Sequence, residues 1–140
     1  MNRRFARYTI SAIAALTVTQ APTPVHAAEY KCERWHKLAL RAGFSRGDLP
    51  TLDYIMYRES RCGPRSIGLN RTASGKVWSS DYGLTQINNF SWITYLRDRN
   101  IVRKSSDLLH PLVNLKAAKA LYDYSKERGN PWRQWSIKKK

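Results

Sequence analysis

Histidine and cysteine are scarce in this chain: three and two among 140 residues. His26 falls in the N-terminal 27 residues, so only His36 and His110 stand with Cys32 and Cys62, and their spacing is not that of zinc ligands. No metal and no cofactor are therefore expected. The same scarcity argues against Ser-His-Asp and Cys-His hydrolases, which need a placed imidazole. There is no Gly-rich phosphate loop, no internal repeat and no low-complexity tract. Acid is also short, with 10 Asp and Glu against 25 Lys and Arg, a formal net charge of +15.

The N-terminus reads as a secretory signal. Arg3, Arg4 and Arg7 form a basic start, Ile10 to Val18 a short apolar run, and Val25-His26-Ala27 a small-residue cleavage site. The competing reading is an uncleaved membrane anchor. Against it, Pro22 and Pro24 interrupt the stretch, and its apolar part is shorter than the ~20 residues of a span. Residues 1–27 are thus expected to be removed, leaving residues 28–140 as one domain exported to the periplasm, cell wall or medium. The removed part carries three Arg and no acid, so 22 basic and 10 acidic residues remain, a net of +12. That charge favours an anionic partner, and for an exported protein the polymers of a bacterial envelope fit better than nucleic acid. The basic residues are scattered except for Lys138-Lys139-Lys140, so a merely solvated surface is the alternative. An even cysteine count in an exported chain suggests one disulfide, Cys32 to Cys62.

Within the mature part, Glu33 to Ala42 has helical spacing at Trp35, Leu38, Ala39 and Ala42, with Gly43 as a stop. A second helix is expected to start near Asp48 to Thr51, capped by Asp48 or Thr51 with Pro50 in its first turn, and to run through Glu59. Gly63 to Ser80 is punctuated by glycine, proline and asparagine and reads as loops with at most a small hairpin. A third helix is expected over Ser91 to Arg99. Ser105-Ser106-Asp107 looks like the start of a fourth, which passes Pro111 to end at Gly129, with Leu112, Leu115, Ala118 and Tyr122 on one face. The whole predicts a predominantly α, α+β single domain, expected to be a monomer.

One residue breaks the apolar pattern. Leu52, Ile55, Met56 and Glu59 fall at i, i+3, i+4 and i+7, so the carboxylate shares a stripe with three core residues. An acid pointing to the core or to a cleft is disfavoured in its charged form and becomes able to deliver a proton near neutral pH. The alternative is an ion pair with Arg58, Arg61 or Arg65 at the helix end.

Arg58-Glu59-Ser60, together with Ser79-Ser80-Asp81-Tyr82-Gly83-Leu84-Thr85-Gln86-Ile87-Asn88, resembles the lysozyme-like superfamily. There a Glu-Ser at a helix end precedes a loop and a Gly-Leu-x-Gln-Ile-Asn-like segment. Downstream, Asp107 to Ala118 looks like the Asp-Pro-x-x-Asn-x-x-x-Ala helix of soluble lytic transglycosylases. The three motifs occur in the family's order, and the resemblance covers roughly Tyr54 to Trp135. It implies cleavage of the β-1,4 bond between N-acetylmuramic acid and N-acetylglucosamine in peptidoglycan, with Glu59 as the acid.

The resemblance also bears on a second group. Asp81 matches the second carboxylate of animal-type lysozymes, which implies attack by water. Small lytic transglycosylases that accompany secretion machines also carry an Asp here, and in those enzymes the 6-hydroxyl of the muramic acid attacks to give a 1,6-anhydro product. A third reading makes Asp81 a turn residue before Gly83. Tyr82, Gln86 and Asn88 resemble groups that line sugar subsites, with Gln86 alternatively a buried amide bracing its loop. Ser60 matches the family serine after the acid, set to bond near the cleft or to end the helix. Of Trp78, Trp92, Trp132 and Trp135, one is expected to stack on sugar and the rest to fill the core. The chain departs from many lytic transglycosylases in having Gly129-Asn130-Pro131-Trp132 where they carry an Ala-Tyr-Asn-Ala-Gly-like segment. Its Gly63 to Ser80 loop is also longer than the animal-lysozyme equivalent. A non-catalytic cationic wall-binding or antimicrobial protein with the same fold is the competing function.

Overall fold

The computed structural model describes residues 29–137. The expected signal segment and the Lys138–Lys140 tail lie outside the described residues. The first helical stretch is a 3₁₀ turn, Glu33–Trp35, running into α1, His36–Arg41. Ala39 is its buried residue, and Gly43, with a φ of +103°, turns the chain away in the conformation that glycine tolerates best. α2 follows as Leu49–Ser60 with Pro50 in its first turn. Its stripe behaves as the periodicity demands, with Leu52, Ile55 and Met56 fully buried.

Asp48 stands at the N-cap position of α2, as expected, but its side chain makes no capping bond to the helix. Asp48 instead folds back onto the Ser45 amide and hydroxyl (2.8 and 2.6 Å), closing the 3₁₀ turn Arg46–Asp48 that leads into the helix. Its other oxygen accepts from the Tyr122 hydroxyl at 2.9 Å, which ties the start of α2 to the last long helix. Burial and this bond to an anion push the Tyr122 phenol up to about 12.

A second acid in α2 is buried. Asp53 accepts from the amides of Lys31 and Cys32, both at 2.9 Å, and pairs with His36 Nε2 at 2.8 Å. This anchors the N-terminal segment beside the end of α2, where Cys32 and Cys62 are bonded with their Cα atoms 5.4 Å apart. Arg61 and Cys62 both take positive φ (53° and 63°). Left-handed backbone at an L residue costs on the order of 1 kcal/mol or more. The disulfide holds it in place, helped by Arg34 and Trp35 side chains donating to the Cys62 carbonyl at 2.9 and 3.0 Å.

The stretch read as loops contains more structure than expected. β1, Ile67–Arg71, pairs antiparallel with β2, Val77–Tyr82, and β3, Ile87–Asn88, adds to the far side of β2. The alternation was hard to see because β1 has no buried residue, and the positions it turns to one side are Gly68 and Asn70 rather than apolar groups. Register sets Gly68 opposite Asp81, Asn70 opposite Ser79, and Asp81 opposite Asn88. All of these side chains share one face of the sheet.

α3 spans Asn89–Asp98, starting earlier than Ser91 because Asn88 Oδ1 accepts from the Ser91 amide (3.0 Å) and caps it. Ser105-Ser106-Asp107 starts a separate 3₁₀ turn, Ser105–Leu109, rather than the long helix. α4 begins at Pro111 and ends at Lys126. Its buried face is Asn114, Leu115, Ala117, Ala118, Leu121 and Ser125; Leu112 and Tyr122, expected on it, are only half-buried. The last 3₁₀ turn, Arg133–Trp135, buries Trp135, whose indole donates to the Thr85 carbonyl at 2.9 Å. The result is the expected α+β domain, mostly helical, whose core combines the buried faces of α2 and α4 with Ala39, Phe44, Leu84, Leu96 and Leu108. No helix among the described residues is long and apolar enough to cross a membrane.

Asn114 joins the halves. Fully buried in the first turns of α4, it accepts from the Thr85 amide and hydroxyl (3.0 and 2.8 Å) and donates to the carbonyls of Tyr82 and Leu108 (2.8 and 3.0 Å). Gly83, at a φ of +74°, lies so close that a Cβ there would meet the Leu108 oxygen at 2.3 Å and Asn114 Nδ2 at 2.4 Å. Replacing Asn114 with Leu orphans a buried amide and two buried carbonyls, and should cost about 3–5 kcal/mol in urea-denaturation stability. Reducing the disulfide, which closes a 30-residue separation, should cost about 3–4 kcal/mol in the same measurement.

Candidate active site

The end of α2, the polar sheet face and the 3₁₀ turn at Trp135 enclose an open cleft of about 230 Å3. Glu59, Asp81, Gln86, Asn88, Trp92 and Trp135 line it. Glu59 reaches it because it is the i+7 member of the stripe that buries Leu52, one turn beyond the last fully packed residue, Met56. It is not enclosed by apolar groups: its side chain is 27% exposed and Oε1 accepts from Arg58 Nε and Nη2 at 2.9 and 2.5 Å. Of the three arginines weighed as partners, Arg58 is the one that binds it, whereas Arg61 lies over the Tyr57 ring.

Arg58 has a second attachment, donating through Nη2 to the Trp135 carbonyl at 2.5 Å. Partial burial works against its charge, but the Glu59 carboxylate and the Tyr54 side chain outweigh burial and hold the guanidinium above its ordinary value. One side chain thus orients the acid and fastens the C-terminal wall of the cleft.

Asp81 sits within β2. Its side chain does not bond its own local backbone, as a turn residue would. Instead Oδ1 accepts from Asn88 Nδ2 at 2.8 Å and Oδ2 from Asn70 Nδ2 at 2.9 Å. Both amides also reach the Ser79 hydroxyl at 3.0 Å, so four side chains on three strands lock one another. Two neutral amides fix the carboxylate's rotamer and leave each oxygen further acceptor capacity. Asn70 and Ser79 are the members that the sequence reading missed. The signal lay in the alternation Gly68, Asn70 against Ser79, Asp81, visible only once the hairpin register is known.

The other expected residues divide. Gln86, at a φ of +48°, lines the cleft while its amide donates to the Ser66 and Gly83 carbonyls (3.1 and 2.9 Å), so it also braces its loop. Asn88 spends one amide end on Asp81 and the other on capping α3. Ser60 and Tyr82 are not in the cleft wall. The Ser60 hydroxyl lies between the carbonyls of Met56 and Leu84 (3.0 and 2.8 Å), binding the helix end to the loop. Tyr82 packs against the core. Trp92 and Trp135 border the cleft, Trp132 stacks on Phe44 in the interior, and Trp78 is half-exposed elsewhere. Among the described residues no group of three or more His, Cys, Asp or Glu is placed to hold a metal ion.

The family model described as a lysozyme-like domain matches residues 36–137, and the chain belongs to that family. It is 38% identical over 76 residues to a peptidoglycan-binding-like protein of Escherichia coli O157:H7, covering 53% of this chain and 45% of that one. A protein named in the same way from Escherichia coli (strain K12) is 37% identical over 76 residues, covering 53% of this chain and 48% of the relative. The chain thus spans about half the length of the relatives it matches. No solved structure matches it.

Replacing Arg58 with Met removes two charge-assisted bonds to Glu59 and one to the Trp135 carbonyl. Thermal unfolding should register a loss of about 1–3 kcal/mol, and the tryptophan emission should shift red as the Trp135 turn loosens.

Proposed function

We propose that this chain cleaves peptidoglycan glycan strands at the β-1,4 bond between N-acetylmuramic acid and N-acetylglucosamine, as a lytic transglycosylase or muramidase. The observation that carries the reading is that Glu59 and Asp81, from different elements, open into one polar cleft bordered by two tryptophans. Membership of the lysozyme-like family supports it. So do the names of the two relatives, which point to the same polymer.

In this mechanism Glu59, as general acid, protonates the glycosidic oxygen while positive charge grows on the sugar ring. Arg58 bonds Oε1 alone, which leaves Oε2 to carry that proton, and its second anchor at Trp135 fixes the arginine in place. Asp81, held by Asn70 and Asn88 with its rotamer already set, stabilises the oxocarbenium-like centre or aligns the attacking group. That group is water in a muramidase and the 6-hydroxyl of the muramic acid itself in a transglycosylase. In the second case Glu59, having given its proton, takes one back as base.

The exported location, in periplasm, wall or medium, and the use of the net positive charge to hold the enzyme on the anionic wall belong to the same proposal. So does the possible setting beside a secretion machine. A binding protein without catalysis is the second reading, and the wording of the relatives' names favours it.

Glu59→Gln separates the two: on the catalytic reading, clearance of a peptidoglycan suspension falls at least about 100-fold while sedimentation with the wall persists. Equal clearance by the variant and the parent would overturn the role of Glu59. Mass spectrometry of the released muropeptides should find anhydro ends for a transglycosylase and reducing ends for a muramidase. Wall binding should weaken as salt rises from about 0.05 to 0.5 M if charge holds the protein there.

A further inference from the structure

Beside the cleft lies a second hollow, of about 390 Å3, lined by Trp92, Tyr124, Ser125, Arg128, Arg133 and Gln134. Two of these residues, Trp92 and Gln134, also line the cleft, so the two concavities meet there. Their charges are opposite. The cleft wall holds the carboxylates of Glu59 and Asp81 and neither Lys nor Arg, whereas the hollow holds two arginines and no acid. A ligand that spans both meets acids on one side of Trp92 and Gln134 and cations on the other.

The two arginines are held differently. Arg128 lies over the Tyr124 ring, its Cζ 3.6 Å from the centroid, and its Nη1 donates to the Tyr124 carbonyl at 2.8 Å. Glu127 stands 3.8 Å from the same nitrogen, but that carboxylate is 79% exposed, and such a solvent pair neutralises little. Arg133 pairs with no carboxylate among the described residues. The turn that carries it is fixed on both sides, by the Trp135 indole on the Thr85 carbonyl and by Gln134 Nε2 on the Ser125 hydroxyl at 3.0 Å. Both guanidinium groups therefore keep donors for an anion, and carboxylates are the anions that their paired N–H groups fit. In peptidoglycan the sugar backbone is uncharged, and the carboxylates belong to peptide stems joined to the lactyl group of N-acetylmuramic acid. A stem carboxylate set against Glu59 and Asp81 would be repelled, so its place is beside the cleft and not within it.

We infer that Arg128 and Arg133 bind the carboxylates of the peptide stem on an N-acetylmuramic acid unit seated in the adjoining cleft, which makes the protein selective for stem-bearing glycan. This rests on the cleft being a glycan site. The test uses Glu59→Gln as the background, so that ligands are not cleaved, and measures binding by titration calorimetry at low salt. The probes are two tetrasaccharides of alternating N-acetylglucosamine and N-acetylmuramic acid with L-alanyl-D-glutamate stems, one with both glutamate carboxylates free and one with both as amides. The background protein should bind the free-acid form about fivefold more tightly, and Arg133→Gln should remove most of that difference and Arg128→Gln part of it, with the amide form unaffected. Arg133→Lys should keep most of the preference, and Lys116→Gln, which removes an exposed charge of α4 that lines neither concavity, should leave it intact. Matching circular dichroism and melting temperatures keep a folding defect apart from a binding one. Equal affinity for the two glycans, or a preference that survives both glutamine variants, overturns the inference while leaving the cleft reading intact. A stem-free strand, with only its lactyl carboxylates, should bind Arg133→Gln as it binds the background protein; a loss equal to that of the free-acid form would give the hollow to the lactyl group and overturn the stem assignment. Failure of the background protein to bind either tetrasaccharide overturns the cleft reading and the inference with it.

Discussion

The buried amide of Asn114 is the constraint on which the cleft depends. A fully buried amide can be stable only if its donors and acceptor are met, and here all four bonds run to other elements: two from Thr85, one to Tyr82 and one to Leu108. Tyr82 and Thr85 belong to the turn between β2 and β3 and Leu108 to the 3₁₀ turn before α4, so the amide sets where the sheet meets α4. Gly83 allows the approach because no Cβ stands between the turn and α4. From that turn the consequences spread outward. Thr85 offers its carbonyl to the Trp135 indole, Trp135 offers its own to Arg58, and Arg58 holds Glu59.

This chain of contacts gives the site a division of labour. Glu59 is carried on a helix whose end is steadied by the Cys32–Cys62 bond and by Ser60 spanning to Leu84. Asp81 is carried on a sheet with almost no apolar core of its own, held by the amides of Asn70 and Asn88. Placing the two carboxylates on different elements allows their surroundings to differ, which is what an acid and a charge-stabilising partner require. Under the proposed activity, the arginine beside Glu59 and the amides beside Asp81 are the means by which two similar groups are given different tasks.

Much of this was legible in the chain itself, for identifiable reasons. The α2 stripe was readable because Leu52, Ile55 and Met56 repeat at helical spacing, and Glu59 stood out because it interrupts that repeat. The disulfide followed from count and context. The sheet was less legible because its strands bury few side chains, and alternation of Gly, Asn, Ser and Asp carries no hydrophobic signal. For the same reason Asn70 and Ser79 escaped notice, although they touch the same carboxylate or its partners. The start of the long helix was misplaced because its acid had an equally good local use: Asp107 accepts from the amides of Arg103 and Lys104 before α4 begins.

By itself the sequence determined the fold class, the α2 stripe with its odd acid, the disulfide pair and the family motifs, because each is written in local spacing or in residue type. Tertiary structure alone decided which arginine binds Glu59, which amides hold Asp81, that Ser60 and Tyr82 serve the frame rather than the cleft wall, and that Trp92 and Gln134 border both the cleft and the basic hollow beside it. Those facts depend on strand register and on the packing of distant segments, where a side chain's neighbours are set by the three-dimensional path of the chain and not by its order.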